Sequence, residues 1–200
     1  MAVTLGAVPA AEAVRLLERR LDESLRPIPA GVRVETRVTT YQLDARSIRD
    51  AQAVIGQQGR ADADGRRWAG YTRWRLRWNY EYERATSCQF KTLTVAVSLE
   101  VDLPVLSDSA RADAATRLWY ESWFDRLFHH EVGHAKLARD GAREIYQRLR
   151  FLQGSACDEL GNRANQVGRQ LLDDLNERQR RYDAETAHGA RPAPPAPPTS

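Results

Sequence analysis

Two hundred residues with a hydrophobic share of 42% suit one domain with a real core. The formal net charge is only +3, from 30 basic and 27 acidic residues, nearly all the basic ones arginine, which gives little reason to expect nucleic acid as a partner. No run approaches the ~18 consecutive apolar residues of a membrane span, and the N-terminus lacks the basic flank and long apolar stretch of a secretory signal.

Residues 9–25 carry Val14, Leu16, Leu17 and Leu21 at helical spacing, and "RPIPAG" ends that helix. In "VRVETRV" the positions Val32, Val34, Thr36 and Val38 alternate with charged residues, the mark of a half-buried strand. The apolar positions then become Tyr41 and Leu43, a change of parity that predicts a bulge near Thr39 and Thr40. A short helix over about 46–57 and a polar turn follow. "YTRWRLRWNYEYE" puts Trp74, Leu76, Trp78, Tyr80 and Tyr82 on one face, and Arg73, Arg75, Arg77, Glu81 and Glu83 on the other. Sorting the aromatics from the arginines favours a core-facing strand with a solvated back over a platform for single-stranded nucleic acid. "LTVAVSLEVDL" repeats the pattern, with Leu93, Val95, Val97, Leu99, Val101 and Leu103 inward, and an antiparallel sheet with one wet face is the simplest solution.

From about Ser109 the period changes from two to 3.6. Tyr120, Trp123, Leu127, His130, His134, Ala138, Gly141 and Ile145 form one stripe of a long helix. A second helix is predicted over about 156–180, with Ser155 as its cap and Asp158 placed for a capping box. The reading is therefore an α+β domain, an antiparallel sheet of about three to four strands packed against these two helices over residues 31–190. An N-terminal helix and linker occupy 1–30, and a proline-rich tail over 191–200 is expected to be disordered.

The chemistry centres on "HEVGH", residues 130–134. Residues four apart on a helix lie about 40° apart around the axis and about 6 Å along it, so His130 and His134 can aim both imidazoles at one zinc ion. Glu131 sits beside that point, where it can take a proton from a metal-activated water, as in zinc peptidases acting on peptide or protein substrates. Two unligated histidines on an apolar stripe would instead need hydrogen-bond partners. Gly133, a poor helix former between them, makes sense where another group approaches that turn closely.

A third ligand must come from elsewhere. In an unbroken helix Asp140 lies about 120° round and 9 Å along from His134, so neither it nor Glu144 converges on the pair. His129 points away, which leaves His188 as the favoured third ligand, delivered by an antiparallel helical hairpin, with Asp183 or Glu185 next. Tyr182 is a candidate donor to a developing oxyanion, or a packing residue of the hairpin. Cys88 and Cys157 are either a disulfide or two buried thiols. A rival to the enzyme is a non-catalytic envelope or interaction protein in which the metal braces the hairpin.

The segments "TTYQL", "AGYTRWRLRWNY", "SCQFKTLTVAV", "HHEVGH", "SACDELGNRAN" and "YDAETAHG" together resemble the bacterial family of unknown function numbered 922, described as predicted secreted zinc-dependent proteases. The resemblance covers about residues 33–190. It implies that His130 and His134 are ligands and Glu131 the catalytic acid or base. It also strengthens His188 and implies a Cys88–Cys157 disulfide in a periplasmic or secreted protein.

Overall fold

The computed structural model describes residues 10–62, 64–107 and 111–190. Its elements in chain order are α1 (Ala10–Ser24), β1 (Val32–Leu43), α2 (Ile48–Gln58), β2 (Arg60–Ala61), β3 (Arg67–Trp68), β4 (Tyr71–Arg84), β5 (Cys88–Leu106), α3 (Ala114–Leu149), β6 (Gln153–Gly154) and α4 (Cys157–Thr186). The expected tail and Ser109 lie outside the described residues. Asp113 caps α3 by accepting from the Thr116 amide, so the long helix begins there.

Alternation in β5 works as read: Val95, Val97, Leu99, Val101 and Leu103 are buried, and α3 covers that face. β5 is the central strand, in the order β1-β5-β4, with the two-residue β6 adding to its start. β4 and β6 pair with it antiparallel, as expected. β1 pairs with it in parallel, so the sheet is mixed. Side-chain alternation reports which face is buried and is blind to strand direction. Direction follows from the chain path: β4 and β5 are joined by a short turn, whereas β1 reaches β5 only after α2 and the β2–β3 hairpin.

The change of parity in β1 is not a bulge. The register with β5 runs unbroken from Val32↔Val95 to Leu43↔Leu106, and the irregularity falls instead between Glu81 and Tyr82 of β4. Leu103, Pro104, Val105 and Leu106 are all buried, so this end of the sheet is covered on both faces and both parities turn apolar.

The N-terminal helix belongs to the same core. Leu17, Leu21 and Leu25 are fully buried in it, while Glu18 accepts from the Val38 amide at 3.3 Å and Asp22 from the Thr36 hydroxyl at 2.6 Å. α1 thereby covers the outer edge of β1, one of the ways proteins blunt an edge strand.

α4 departs from its predicted bounds at both ends. Ser155 gives its hydroxyl proton to Glu159 at 2.6 Å, and the cap position, Ala156, makes no side-chain hydrogen bond. At the far end no glycine or proline occurs until Gly189, so the helix continues to Thr186. The first part of α4 lies on β4, where Gly161 meets Tyr82, Gly168 meets Trp78, and Trp78 Nε1 donates to Asn165 at 3.0 Å. Further along, Leu175 meets Gly141 and Tyr182 meets Gly133 on α3. The two helices are antiparallel but offset, and this offset absorbs the length by which α4 would otherwise overshoot the site.

Cys88 and Cys157 form a disulfide that ties the start of β5 to the start of α4 across 69 residues. Closing a loop of that size removes about 4 kcal/mol of unfolded-state entropy. Reduction under native conditions is therefore expected to lower Tm by about 8–16 °C in a thermal melt, and an unchanged Tm would show that α4 is held without it.

Candidate metal centre

His130 and His134 are both buried on the face of α3 that meets α4. Each has its Nδ1 engaged. Gln179 Nε2 donates to the His134 carbonyl at 3.1 Å, which turns the Gln179 amide oxygen to accept from His134 Nδ1 at 2.5 Å. Thr186 Oγ1 donates to the Tyr182 carbonyl at 2.7 Å and so accepts from His130 Nδ1 at 3.1 Å. Such partners hold both Nδ1 atoms and turn both Nε2 atoms toward one point, the support that metal-ligating histidines usually have.

The two Nε2 atoms lie 3.2 Å apart, and Asp183 Oδ1 stands 3.3 Å from that of His130 and 3.0 Å from that of His134. A tetrahedron with metal–ligand bonds of 2.0–2.1 Å has edges of about 3.3 Å. His130, His134 and Asp183 are thus a ready set of three donors, of the N and O types zinc accepts, around one point. Burial works against ionising Asp183, but its hydrogen bonds to His130 and His134 outweigh it and hold the carboxyl well below the ordinary range. Burial likewise lowers the proton affinity of His134, and the carboxylates of Asp183 and Glu131 reverse this to a net increase. The pocket is built for positive charge.

Of the candidates for third position, Asp183 is the one that meets both imidazoles. His188 lies outside that group of three. Its Nδ1 is 3.2 Å from Asp183 Oδ1, and its ring lies against Trp68, tilted by 31° with the centroids 3.9 Å apart. Trp68 is in turn held by donation to Asp62 at 2.8 Å. The turn that carries His188 has positive φ at Ala187, His188 and Gly189, which folds the chain back over His130. Asp140 and Glu144 are engaged by Arg139 and Arg178, away from the site.

Glu131 is buried, and burial pushes its carboxyl up, against the pull of His134, Thr72 and His130. Thr72 donates to its Oε2 at 2.6 Å. A methyl group on Gly70 would stand 2.7 Å from its Oε1, so only glycine lets this backbone run against the carboxylate. Tyr41 fixes the same segment by donating to the Ala69 carbonyl at 2.9 Å.

Tyr182 stacks on the His130 ring at 5.2 Å, and its hydroxyl, with no partner among the described residues, rests on Gly133 where a methyl would be only 2.0 Å away. The close approach anticipated at Gly133 is this tyrosine. Its hydroxyl packs behind the histidines and does not line the cleft. Burial and the neighbouring Glu131 and Asp183 push it up to about 12, so it stays protonated.

The family model described as "Bacterial protein of unknown function (DUF922)" matches residues 38–189. The chain belongs to this family. No curated protein and no solved structure matches it. In this DUF922 chain Thr72, Gly70, Gln179 and Thr186 also shape the site, beyond the residues that the sequence pattern singles out. For the last two a signal existed: Leu175, Gln179, Asp183 and Thr186 continue the inward stripe of α4 past Arg180. Thr72 and Gly70 have no local signal.

Removing the oxygen that orients His134 is expected to weaken zinc binding by about 10–100-fold. Competition against a chromogenic chelator with Gln179→Leu tests this, with circular dichroism confirming the fold; undiminished affinity would mean that Gln179 does not set the imidazole.

Proposed function

We propose that the protein is a zinc-dependent peptidase, with His130 Nε2, His134 Nε2 and Asp183 as ligands and Glu131 as general base. The observation that carries this reading is the convergence of two imidazole nitrogens and a carboxylate oxygen at 3.0–3.3 Å, beside a second, buried carboxylate that lines an open cleft. A zinc ion held there would acidify a water and polarise a carbonyl.

The remaining work falls to the chain. Thr72 and Gly70 hold the Glu131 carboxylate at the cleft wall, where it takes a proton from the attacking water and returns it to the departing amine. Its raised carboxyl suits that exchange. His188 braces Asp183 from the turn beyond α4, and Tyr182 supports the His130 ring from behind. β4 is an outer strand of the sheet, and its first residues, Tyr71 and Thr72, line the cleft, so an extended peptide or protein substrate can add to it as a further strand. A disulfide that uses both cysteines is compatible with an extracytoplasmic location, and among the described residues no helix is long and apolar enough to cross a membrane. We therefore take the protein to be periplasmic or secreted.

Elemental analysis of protein purified without chelator is expected to find one zinc per chain, lost in His130→Ala and Asp183→Ala and retained in His188→Ala. Absence of metal after zinc has been offered removes the peptidase reading. With a fluorescent casein substrate, Glu131→Gln is expected to keep its zinc and lose turnover by about 10²–10⁴-fold. Hydrolysis at an undiminished rate would take the general base away from Glu131.

A further inference from the structure

The cleft beside the metal group has a volume of about 560 Å³. Three of the five tryptophans, Trp68, Trp74 and Trp123, line it, and Trp119 stacks on Trp123 at 4.9 Å. Its fixed charges are unevenly engaged. Asp62 accepts from Trp68 Nε1 at 2.8 Å through one oxygen, and from the amides of Asp64 and Arg66 at 3.0 and 2.9 Å through the other. Arg67 donates to the Gly59 carbonyl at 2.7 Å. Arg126 lines the cleft, is exposed, and has no hydrogen bond or ion pair among the described residues.

Arg126 stands one helical turn before His130, about 6 Å along the axis, a distance spanned by roughly two residues of extended peptide. Arg126 and Trp123 both line the cleft. A planar guanidinium there offers two parallel donors to a carboxylate.

We infer that Arg126 is the anion-binding subsite of this cleft, and that the substrate is a peptide with a carboxylate a few residues from the bond to be cut. The carboxylate is that of a chain end or of an Asp or Glu side chain. This rests on the peptidase reading of the same cleft.

The test uses zinc-loaded protein carrying Glu131→Gln, so that binding is measured without turnover. The probes are three acetylated peptides: Ala-Ala-Phe-Leu-Ala as the free acid, the same peptide as its amide, and the amide with Glu in place of the last Ala. Dissociation constants come from titration calorimetry. At least one charged peptide is expected to bind about fivefold tighter than the uncharged amide, as befits a single exposed Arg–carboxylate pair, and this advantage disappears when Arg126→Met is added. Which charged peptide shows it identifies the source of the carboxylate. Equal affinities for all three, an advantage that survives Arg126→Met, or no binding by any of them overturns the inference. Zinc content and casein turnover decide the peptidase reading separately. Hydrolysis without carboxylate preference removes only the subsite, and preference without hydrolysis removes only the peptidase.

Discussion

The site depends on how closely α4 approaches α3 at one level. Gly133 leaves α3 without a side chain between the two histidines, and the ring of Tyr182 fills that space. Because Tyr182 is seated there, the next residue on α4, Asp183, meets both imidazoles, while Gln179 and Thr186, each about one turn away along α4, reach the two Nδ1 atoms. Interhelical distance is set by the side chains at the crossing, and Gly141 under Leu175 keeps the helices close two turns further on. One contact thus decides which carboxylate meets the histidine pair and which partners hold its Nδ1 atoms.

Electrostatics at the same place are unusual for a chain so rich in arginine. The described partners of Asp183 and of the Glu131 carboxylate are imidazoles and a threonine hydroxyl, with no arginine or lysine among them. Burying two carboxylates near each other is costly unless positive charge offsets them. A divalent cation would do so, and the two carboxylates raise the proton affinity of His134. Arginines stand elsewhere, as where Arg73 on the sheet pairs with Glu100 at 2.8 Å, and Arg126 lines the cleft without a described partner.

The scaffold holds α4 at several points along its length. The disulfide fixes its start to β5, Tyr82 and Trp78 support its first half, and the contact of His188 with Trp68 secures the turn that follows it. On the opposite side of the site, Tyr41 and Thr72 tie the sheet to the segment that faces Glu131. The histidine pair and Asp183 are therefore carried on separate helices, an arrangement in which precision comes from packing.

Local periodicity was enough to read the helices, the inward faces of β4 and β5, and the HEVGH pair, because each depends on spacing within one element. The resemblance carried by segments at both ends of the domain pointed to the family. Tertiary structure decided the rest. The direction of β1 is invisible to a pattern with period two, and a sheet end buried on both faces imitates a bulge. Asp183, rather than His188, meets both imidazoles because α4 runs on to Thr186 with an offset that no local signal encodes. Thr72 and Gly70 reach Glu131 across 59 and 61 residues of sequence, a contact that exists only once β4 lies against α3. Spacing along the chain was enough to bring out His130, Glu131, His134, Asp183 and His188 as candidates. Which of them meet was decided by helix offset and sheet packing, since convergence on one point is a property of distances between elements.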